Sequence, residues 1–296
     1  MDSADKTSDG TRGRSRSAIV TGGAKGIGRA VSDHLASLGW DLWICGRDRG
    51  ALAKAAEEIQ GRHPVTVRTV SVDLSEPGAV ASLFAPVGQP EDLPLAMVLG
   101  AADYGVFGPL ASVDFAAWRR SFDLNFFSVA EILHRYLAVA SKGSALPRRR
   151  IVVMGGGGLG GAQVSGAISS YSCAKAAVNR LGEVVHEESN AKGIDINCVL
   201  PGLVNTGMVD AAIAAGPALG AIYEASLKTK TSGGTPPETA AEFIGHLLSD
   251  ECAGVSGRLF SARWDRKALA QPGTVSAEPD LFRLRRIDNE LFGKRK

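Results

Sequence analysis

Apolar runs of strand length alternate with helix-period segments along nearly the whole chain. That alternation predicts an α/β fold, a doubly wound parallel sheet of about seven strands with helices on both faces. Two further observations sharpen the prediction. A glycine-rich turn joins the first apolar run to the first helical segment, and Tyr171 and Lys175 stand four residues apart on a later helix. The 296 residues suit one large domain of this kind, and no repeat or domain-scale linker interrupts the alternation.

Composition narrows the function classes. Hydrophobic residues make up 45% and charged residues 22%, as in a soluble globular protein, and the formal net charge of +2 gives no global argument for nucleic acid or membrane. No apolar run has the length needed to span a bilayer. Residues 1–16 mix Asp, Lys, Ser and Arg without an apolar core, so they do not form a secretory signal. Arg12, Arg14 and Arg16 hint at a transit peptide, and Asp2, Asp5 and Asp9 argue against one. The expectation is a disordered tail on a cytoplasmic protein. Cys45, Cys173, Cys198 and Cys252 show no metal-ligand spacing and read as reduced thiols, so no metal site is expected.

Residues 17–21 form the first strand, ending in Thr-Gly-Gly-Ala-Lys-Gly-Ile-Gly at residues 21–28. Ile27, Val31, Leu35 and Leu38 then fall on one helical stripe. In a strand–glycine turn–helix unit, Gly22, Gly26 and Gly28 let the backbone approach a pyrophosphate, and the helix N-terminus faces its negative charge. The spacing is G-x-x-x-G-x-G, and its place at the start of a strand–helix alternation points to a dinucleotide site. Residues 41–45 form the second strand, followed by Gly46-Arg47-Asp48. A carboxylate at this strand end would accept from a ribose 2′-hydroxyl, whereas an arginine accommodates a 2′-phosphate. Arg47, with Lys25 in the glycine loop, favours NADP(H) over NAD(H). The alternative leaves both cations as surface charges with Asp48 on the ribose, but Asp48 also fits as the N-cap of the next helix.

A helix at residues 49–60 and a strand at 65–70 follow, then Asp73-Leu74, where Asp73 would either bond an adenine amino group or cap a turn. A short helix is expected at 76–86 and a fourth strand at 95–99, ending in Gly100-Ala101-Ala102. A long helix at 115–140 contains Asn125. The fifth strand, 149–154, leads into Gly155 to Gly158, and the helix of Tyr171 and Lys175 has Ser169 or Ser170 as its expected N-cap. A sixth strand at 194–200 ends in Pro201-Gly202. The Gly/Ala/Pro-rich residues 203–237 have little strand character and suit a lid. A helix at 238–249 and a strand at 258–261 close the domain. One domain over 17–265 is therefore expected, with an extension at 266–296 that ends in many basic residues.

Residues four apart share a helix face, so the ammonium of Lys175 lies beside the Tyr171 ring. An adjacent cation favours the phenolate and lowers the tyrosine pKa from about 10 toward neutrality, making a usable proton donor and acceptor. Alone, Y-x-x-x-K is as readily an exposed tyrosine and a solvated lysine; the dinucleotide signature upstream gives it weight.

With these pieces in this order, the chain over residues 17–261 resembles the short-chain dehydrogenase/reductase family, with its Rossmann-type sheet. The resemblance rests on the glycine loop, Asp73, Asn125, the Tyr171/Lys175 pair, and Pro201-Gly202 with Thr206. It implies that Tyr171 is the acid/base, that Lys175 holds the nicotinamide ribose, and that Asn125 keeps a proton-relaying water. It also implies that Thr206 fixes the nicotinamide carboxamide and that Asp73 bonds adenine. Ile27, Leu74, Ala101 and Val204 complete the expected cofactor contacts. Three departures stand out. Leu99-Gly100-Ala101-Ala102 lacks the usual amides that brace the central sheet. The usual serine after the fifth strand falls near Gly156, in a run with no hydroxyl. The last strand reads Phe260-Ser261-Ala262-Arg263-Trp264-Asp265 rather than ending in Asp-Gly-Gly. Trp264 and Asp265 would reach the substrate cleft or a neighbouring subunit, or Trp264 would simply pack.

The resemblance implies interconversion of a ketone and a secondary alcohol; charged substrate-facing candidates are few, so a neutral, moderately polar substrate such as a sugar derivative or a biosynthetic ketone is expected. Tyr104, Gly156, Gly157 and Met208 are substrate-facing candidates, with Phe107 a further apolar wall. The missing serine raises a second class, a dinucleotide-binding regulator without turnover, against which the retained Tyr171, Lys175 and Asn125 argue. A third is an epimerase or dehydratase that cycles its cofactor internally. The helices of Asn125 and Tyr171 are the family's usual subunit contact, so a homodimer or homotetramer is expected.

Overall fold

The computed structural model describes residues 16–143, 147–156, 166–278 and 280–284. Strand β1 (Ser17–Thr21) leads into α1 (Gly26–Ser37), and β2 (Asp41–Gly46) into α2 (Arg49–Arg62). β3 (Val67–Ser71), a single-turn α3 (Val80–Leu83) and β4 (Ala96–Leu99) follow. Helix α4 (Phe115–Phe122) runs through a π-helical turn, Asp123–Phe127, into α5 (Ser128–Ala140). Then come β5 (Arg149–Met154), α6 (Ser169–Ser189) and β6 (Ile194–Leu200). Helices α7 (Gly207–Ala215), α8 (Ala221–Ser232) and α9 (Pro237–Leu247) precede β7 (Leu259–Ser261), and α10 (Arg266–Leu269) and α11 (Pro272–Ala277) lie beyond it.

The seven strands form one parallel sheet in the order β3-β2-β1-β4-β5-β6-β7. β4 and β5 are buried at every position, as a parallel sheet covered on both faces requires. On one face Val31, Leu35, Ile59 and Ile244 bring α1, α2 and α9 onto the sheet. On the other, Ile132, Leu133, Tyr136 and Val178 bring α5 and α6. The order reverses between β1 and β4, so a crevice opens there at the carboxyl ends of the strands.

Some local expectations change. The helix expected at 115–140 is interrupted by the π turn that holds Asn125. The short helix at 76–86 shrinks to the four residues of α3. Residues 203–237, the expected lid, carry two helices, α7 and α8. Ile168 occupies the N-cap of α6, and neither Ser169 nor Ser170 caps it. Asp48 does cap α2, accepting from Ala51 N–H at 2.9 Å.

Candidate active site

The turn between β1 and α1 is shaped by glycine. Gly22 and Gly26 adopt φ +71° and +53°, and a Cβ on Gly28 would lie 2.2 Å from the Gly22 carbonyl oxygen. Ser32 Oγ donates to the Gly23 carbonyl at 3.0 Å and so pins the loop to its own helix. No side chain caps the N-terminus of α1, and no acidic residue stands in its first turn. The free N–H groups and the positive end of the helix dipole therefore remain for an anion. Thr206 reaches this loop from the start of α7: a Cβ on Gly26 would stand 3.0 Å from its Cγ2, and its side chain makes no capping bond of its own. The Gly22 backbone lies against Ala101, where an added Cβ would be 3.3 Å away. Gly22, Gly26, Gly28, Ala101 and Thr206 thus converge, and Ile27, Pro201, Gly202 and Val204 line the same cavity. A cradle that no Cβ can enter, facing an uncapped helix end, fits a dinucleotide's pyrophosphate.

Thr21 was not picked out from the sequence. Its Oγ accepts from the N–H groups of Gly100 and Ala101 at 2.9 and 3.0 Å, tying the end of β1 to the end of β4. A hydroxyl on β1 braces the sheet where Leu99-Gly100-Ala101-Ala102 lacks side-chain amides. The signal was a threonine at the strand end facing a run of small residues.

At the far side of the crevice, Lys25 pairs with Asp48 at 2.6 Å, both exposed. Arg47 stands 3.8 Å from Asp73 and 3.9 Å from Asp103, distances too long for a hydrogen bond to either. Asp73 Oδ1 accepts from Ser75 N–H and Oγ, so the residue does cap a turn; its other oxygen faces Arg47. Burial opposes, but the hydrogen bonds from Ser75, helped by the charge of Arg47, hold the Asp73 carboxyl below its ordinary range. Leu74 beside it is buried.

Helix α6 places Tyr171 and Lys175 under the end of β5. Lys175 is buried, its ammonium donates to the Met154 carbonyl at 3.0 Å, and it lies 6.0 Å from the centre of the Tyr171 ring. Burial pushes its pKa down to about 8, with Cys198 opposing. Tyr171 departs from the sequence expectation. Desolvation, reinforced by Tyr104, raises its hydroxyl pKa rather than lowering it. Lys175 is turned toward Met154 and does not offset that burial. The ring of Tyr104 meets that of Tyr171 edge-on at 5.0 Å and touches Phe107 at 5.5 Å.

Gly156 lies against both reactive groups. A Cβ there would fall 2.8 Å from the Tyr171 hydroxyl and 2.7 Å from Lys175 Cγ. The tyrosine therefore occupies the space that a serine side chain would need. Of the groups that could replace that serine, Ser169 Oγ accepts from Trp118 Nε1 at 3.0 Å, and Ser170 is fully buried with its hydroxyl unpartnered. Gly155 N–H is bound to the Val199 carbonyl at 2.9 Å, so a backbone nest would have to begin at Gly156. Gly157, Gly158 and Ser165 lie outside the described residues.

Asn125 is fully buried in the π turn. Its Nδ2 donates to the carbonyls of Asp103 and Ser121 at 3.0 and 2.9 Å, while Oδ1 is buried without a partner. The π turn re-aims this side chain toward the Asp103 loop, and an orphaned buried acceptor is a seat for a water.

These elements surround a cavity of about 1230 Å³, whose lining includes Tyr171, Lys175, Tyr104, Met208 and residues of α7 and α8. Phe107 is not on its wall. Ser261, Arg263 and Trp264 are, and Arg263 is a residue the sequence reading passed over. Among the described residues no cluster of three or more His, Cys, Asp or Glu could hold a metal ion, and no helix is long and apolar enough to cross a membrane.

A dinucleotide cradle at the switch point of a seven-stranded parallel sheet, with a tyrosine and a lysine one helical turn apart beside it, defines a nicotinamide-dependent oxidoreductase class. The comparisons agree: the short chain dehydrogenase family model matches residues 16–215, and the chain belongs to that family. It is 31% identical over 257 residues to cis-4-hydroxycyclohexanecarboxylate dehydrogenase of Sinomonas cyclohexanicum, covering 83% of this chain and 94% of that one. It is 28% identical to the chloroplastic NADPH-dependent aldehyde reductase 2 of Arabidopsis thaliana, covering 83% and 92%. Among solved structures, the RhlG/NADP complex of Pseudomonas aeruginosa matches with a TM-score of 0.71 at 23% identity, over 83% of this chain and 94% of that one. The L-sorbose reductase of Gluconobacter frateurii, complexed with NADPH and L-sorbose, matches with a TM-score of 0.70 at 20% identity, over the same shares.

Proposed function

We propose that this protein is an NADP(H)-dependent oxidoreductase that interconverts a ketone and a secondary alcohol, with Tyr171 as the acid/base. The observation that carries the reading is the meeting of the Tyr171 hydroxyl with Lys175 beneath Gly156, on the wall of the cavity that the glycine cradle opens into. Named relatives that are dehydrogenases and NADPH-dependent reductases support it. The four cysteines are free thiols, as suits the reducing cytoplasm.

The glycine loop and the N-terminus of α1 would hold the diphosphate, Thr206 the carboxamide, and Asp73 with Leu74 the adenine end. Ala101, Pro201, Gly202 and Val204 form the walls between. Arg47 and Lys25 would meet the 2′-phosphate; both already stand against carboxylates without burying them, so a phosphate can compete for them. When bound, the nicotinamide gives or accepts the hydride. Tyr171, kept protonated by its desolvation, donates its proton to the substrate oxygen in reduction. In oxidation it must lose that proton; Lys175, which would hold the nicotinamide ribose, would favour the anion with its ammonium. Asn125 Oδ1 holds a water that carries the proton onward to the Asp103 loop and solvent.

Steady-state NADPH consumption with a panel of cyclic and aryl ketones tests the reading. Net oxidation of NADPH with a ketone is expected. Tight NADPH binding with no consumption by any ketone would instead favour the regulator, or the epimerase or dehydratase that cycles its cofactor internally.

A further inference from the structure

We propose that Arg263, held on the indole of Trp264, recognises an anion at the substrate end of the cavity. The preferred substrate is then an apolar, ring-bearing ketone or alcohol with a carboxylate remote from the reacting carbon. The proposal rests on the reading of Tyr171 as the acid/base and names the substrate class of that same site.

The cavity's charge is the first observation. Among the described residues that line it, two carry charge, Lys175 and Arg263; both are cations, and no carboxylate faces them. Lys175 is turned to Met154 beside Tyr171, which leaves Arg263 for the ligand. The rest of the substrate end is mostly apolar, including Leu110, Met208, Leu219 and Ile222, with the hydroxyls of Ser172, Ser226 and Ser261 among them. A polyol placed there would leave hydroxyls without partners, a costly arrangement. An anionic, largely apolar substrate is therefore proposed in place of the neutral sugar derivative expected from the sequence.

The second observation is how the chain presents Arg263, an exposed side chain at the cavity wall. β6 and β7 pair Leu200 with Ser261, so the residues after Ser261 emerge beside Pro201 and Gly202. The chain then closes a turn: Asp265 N–H donates to the Ser261 carbonyl at 2.9 Å, and Asp265 Oδ2 accepts from Ser261 N–H at 2.6 Å. Ala262 is fully buried and anchors the turn. This geometry occupies the nearest carboxylate with backbone, so Asp265 does not neutralise Arg263. The guanidinium instead lies 4.4 Å from the centre of the Trp264 ring. Trp264 is itself 71% exposed; stacking on it covers one face of the cation and leaves the N–H edge for a bidentate carboxylate.

The third observation is position. β7 lies five strands from β2 in the sheet order, roughly 24 Å at about 4.8 Å per strand, so Arg263 is far from the adenosine end where Arg47 stands. It lies only two strands from β5, whose end carries Met154 and Gly156. That is roughly 10 Å, a span that a six-membered ring and the reach of an arginine fill.

The experiment is calorimetric titration of the NADP⁺-loaded protein with 4-acetylbenzoate and with its methyl ester, repeated on Arg263→Gln and Arg263→Lys, with NADPH turnover of both ketones measured alongside. The acid is expected to bind roughly tenfold more tightly than the ester. Arg263→Gln should close that gap, and Arg263→Lys should restore part of it. In turnover the difference should appear in KM rather than kcat. Equal binding of acid and ester, a preference that survives Arg263→Gln, or no binding of either would overturn the proposal. Tight, Arg263-dependent binding of the acid without turnover would uphold the anion site and count against the ketoreductase reading. Turnover of both ketones without an Arg263-dependent preference would do the reverse.

Discussion

Gly156 stands where a side chain would collide with Tyr171 and Lys175, the two residues proposed to carry the chemistry. Replacing it with the serine usual in this family should not rescue a missing donor, because the new Cβ would fall 2.8 Å from the Tyr171 hydroxyl. Gly156→Ser is expected to lower kcat by about tenfold or more, since a slight displacement of the proton donor is costly; a faster enzyme in steady-state assays would show that the site had been impaired by its glycine. Lys175 gives a second test at this scale. In the folded chain burial lowers its pKa to about 8 from the ordinary value of 10.5, so over that interval the unfolded chain binds more protons than the folded one. Stability must then rise as pH climbs from about 8 toward 10.5. Lys175→Met removes the buried charge, and its Tm at pH 7 should exceed the parent's by roughly 3 °C, less so at pH 9.5. Turnover should fall at least ~100-fold. A Tm gap that widens with pH in calorimetric scans would contradict the burial of a charged lysine.

At the scale of elements, cofactor choice belongs to the β1–α1 loop and the end of β2. Lys25 and Arg47 gather there with no carboxylate at the strand end, Asp48 being occupied as the cap of α2 and by Lys25. Arg47→Ala is expected to cut the preference for NADPH over NADH roughly tenfold, the worth of one charge-assisted hydrogen bond. Equal Kd values for the two cofactors in the parent protein would remove the basis of the reading. The strands were legible because a parallel sheet buried on both faces writes itself as continuous apolar runs: β1, β5 and β6 lie where those runs lie. Helices α7 and α8 were not, because Gly and Pro at residues 216, 217, 220 and 233 mark their ends while alanine leaves their faces without a clear stripe. The π turn at Asn125 leaves the apolar periodicity almost intact, so composition does not betray it. The residues of the candidate site were legible where they carry a motif. Thr21 and Arg263 act through strand register and a backbone turn, which no local pattern announces.

For the whole molecule, the exposed aromatic surface suggests how copies meet. Phe115, Trp118, Phe122, Phe126 and Phe127 form a continuous series of ring contacts along α4, the π turn and the start of α5, with Phe115 61% and Phe127 56% exposed. The opposite edge of the sheet is taken by the chain itself: Leu259 N–H donates to the Phe282 carbonyl at 2.7 Å, and the Phe282 ring meets that of Phe260 at 5.0 Å. Pairing between copies through β7 is thereby blocked. We propose a homodimer through the aromatic face: light scattering should give twice the 30.8 kDa chain mass, with Phe127→Asp shifting it to the monomer. A tetramer, or a dimer indifferent to Phe127→Asp, would contradict this arrangement. The central claim is that this fold brings a nicotinamide cradle to a tyrosine that moves the substrate's proton. The most direct measurement is Tyr171→Phe, with NADPH binding followed by calorimetry and ketone reduction by NADPH consumption. The account predicts unchanged NADPH affinity and a fall in kcat of about 10³ or more; a variant that binds NADPH and keeps most of its kcat would contradict it.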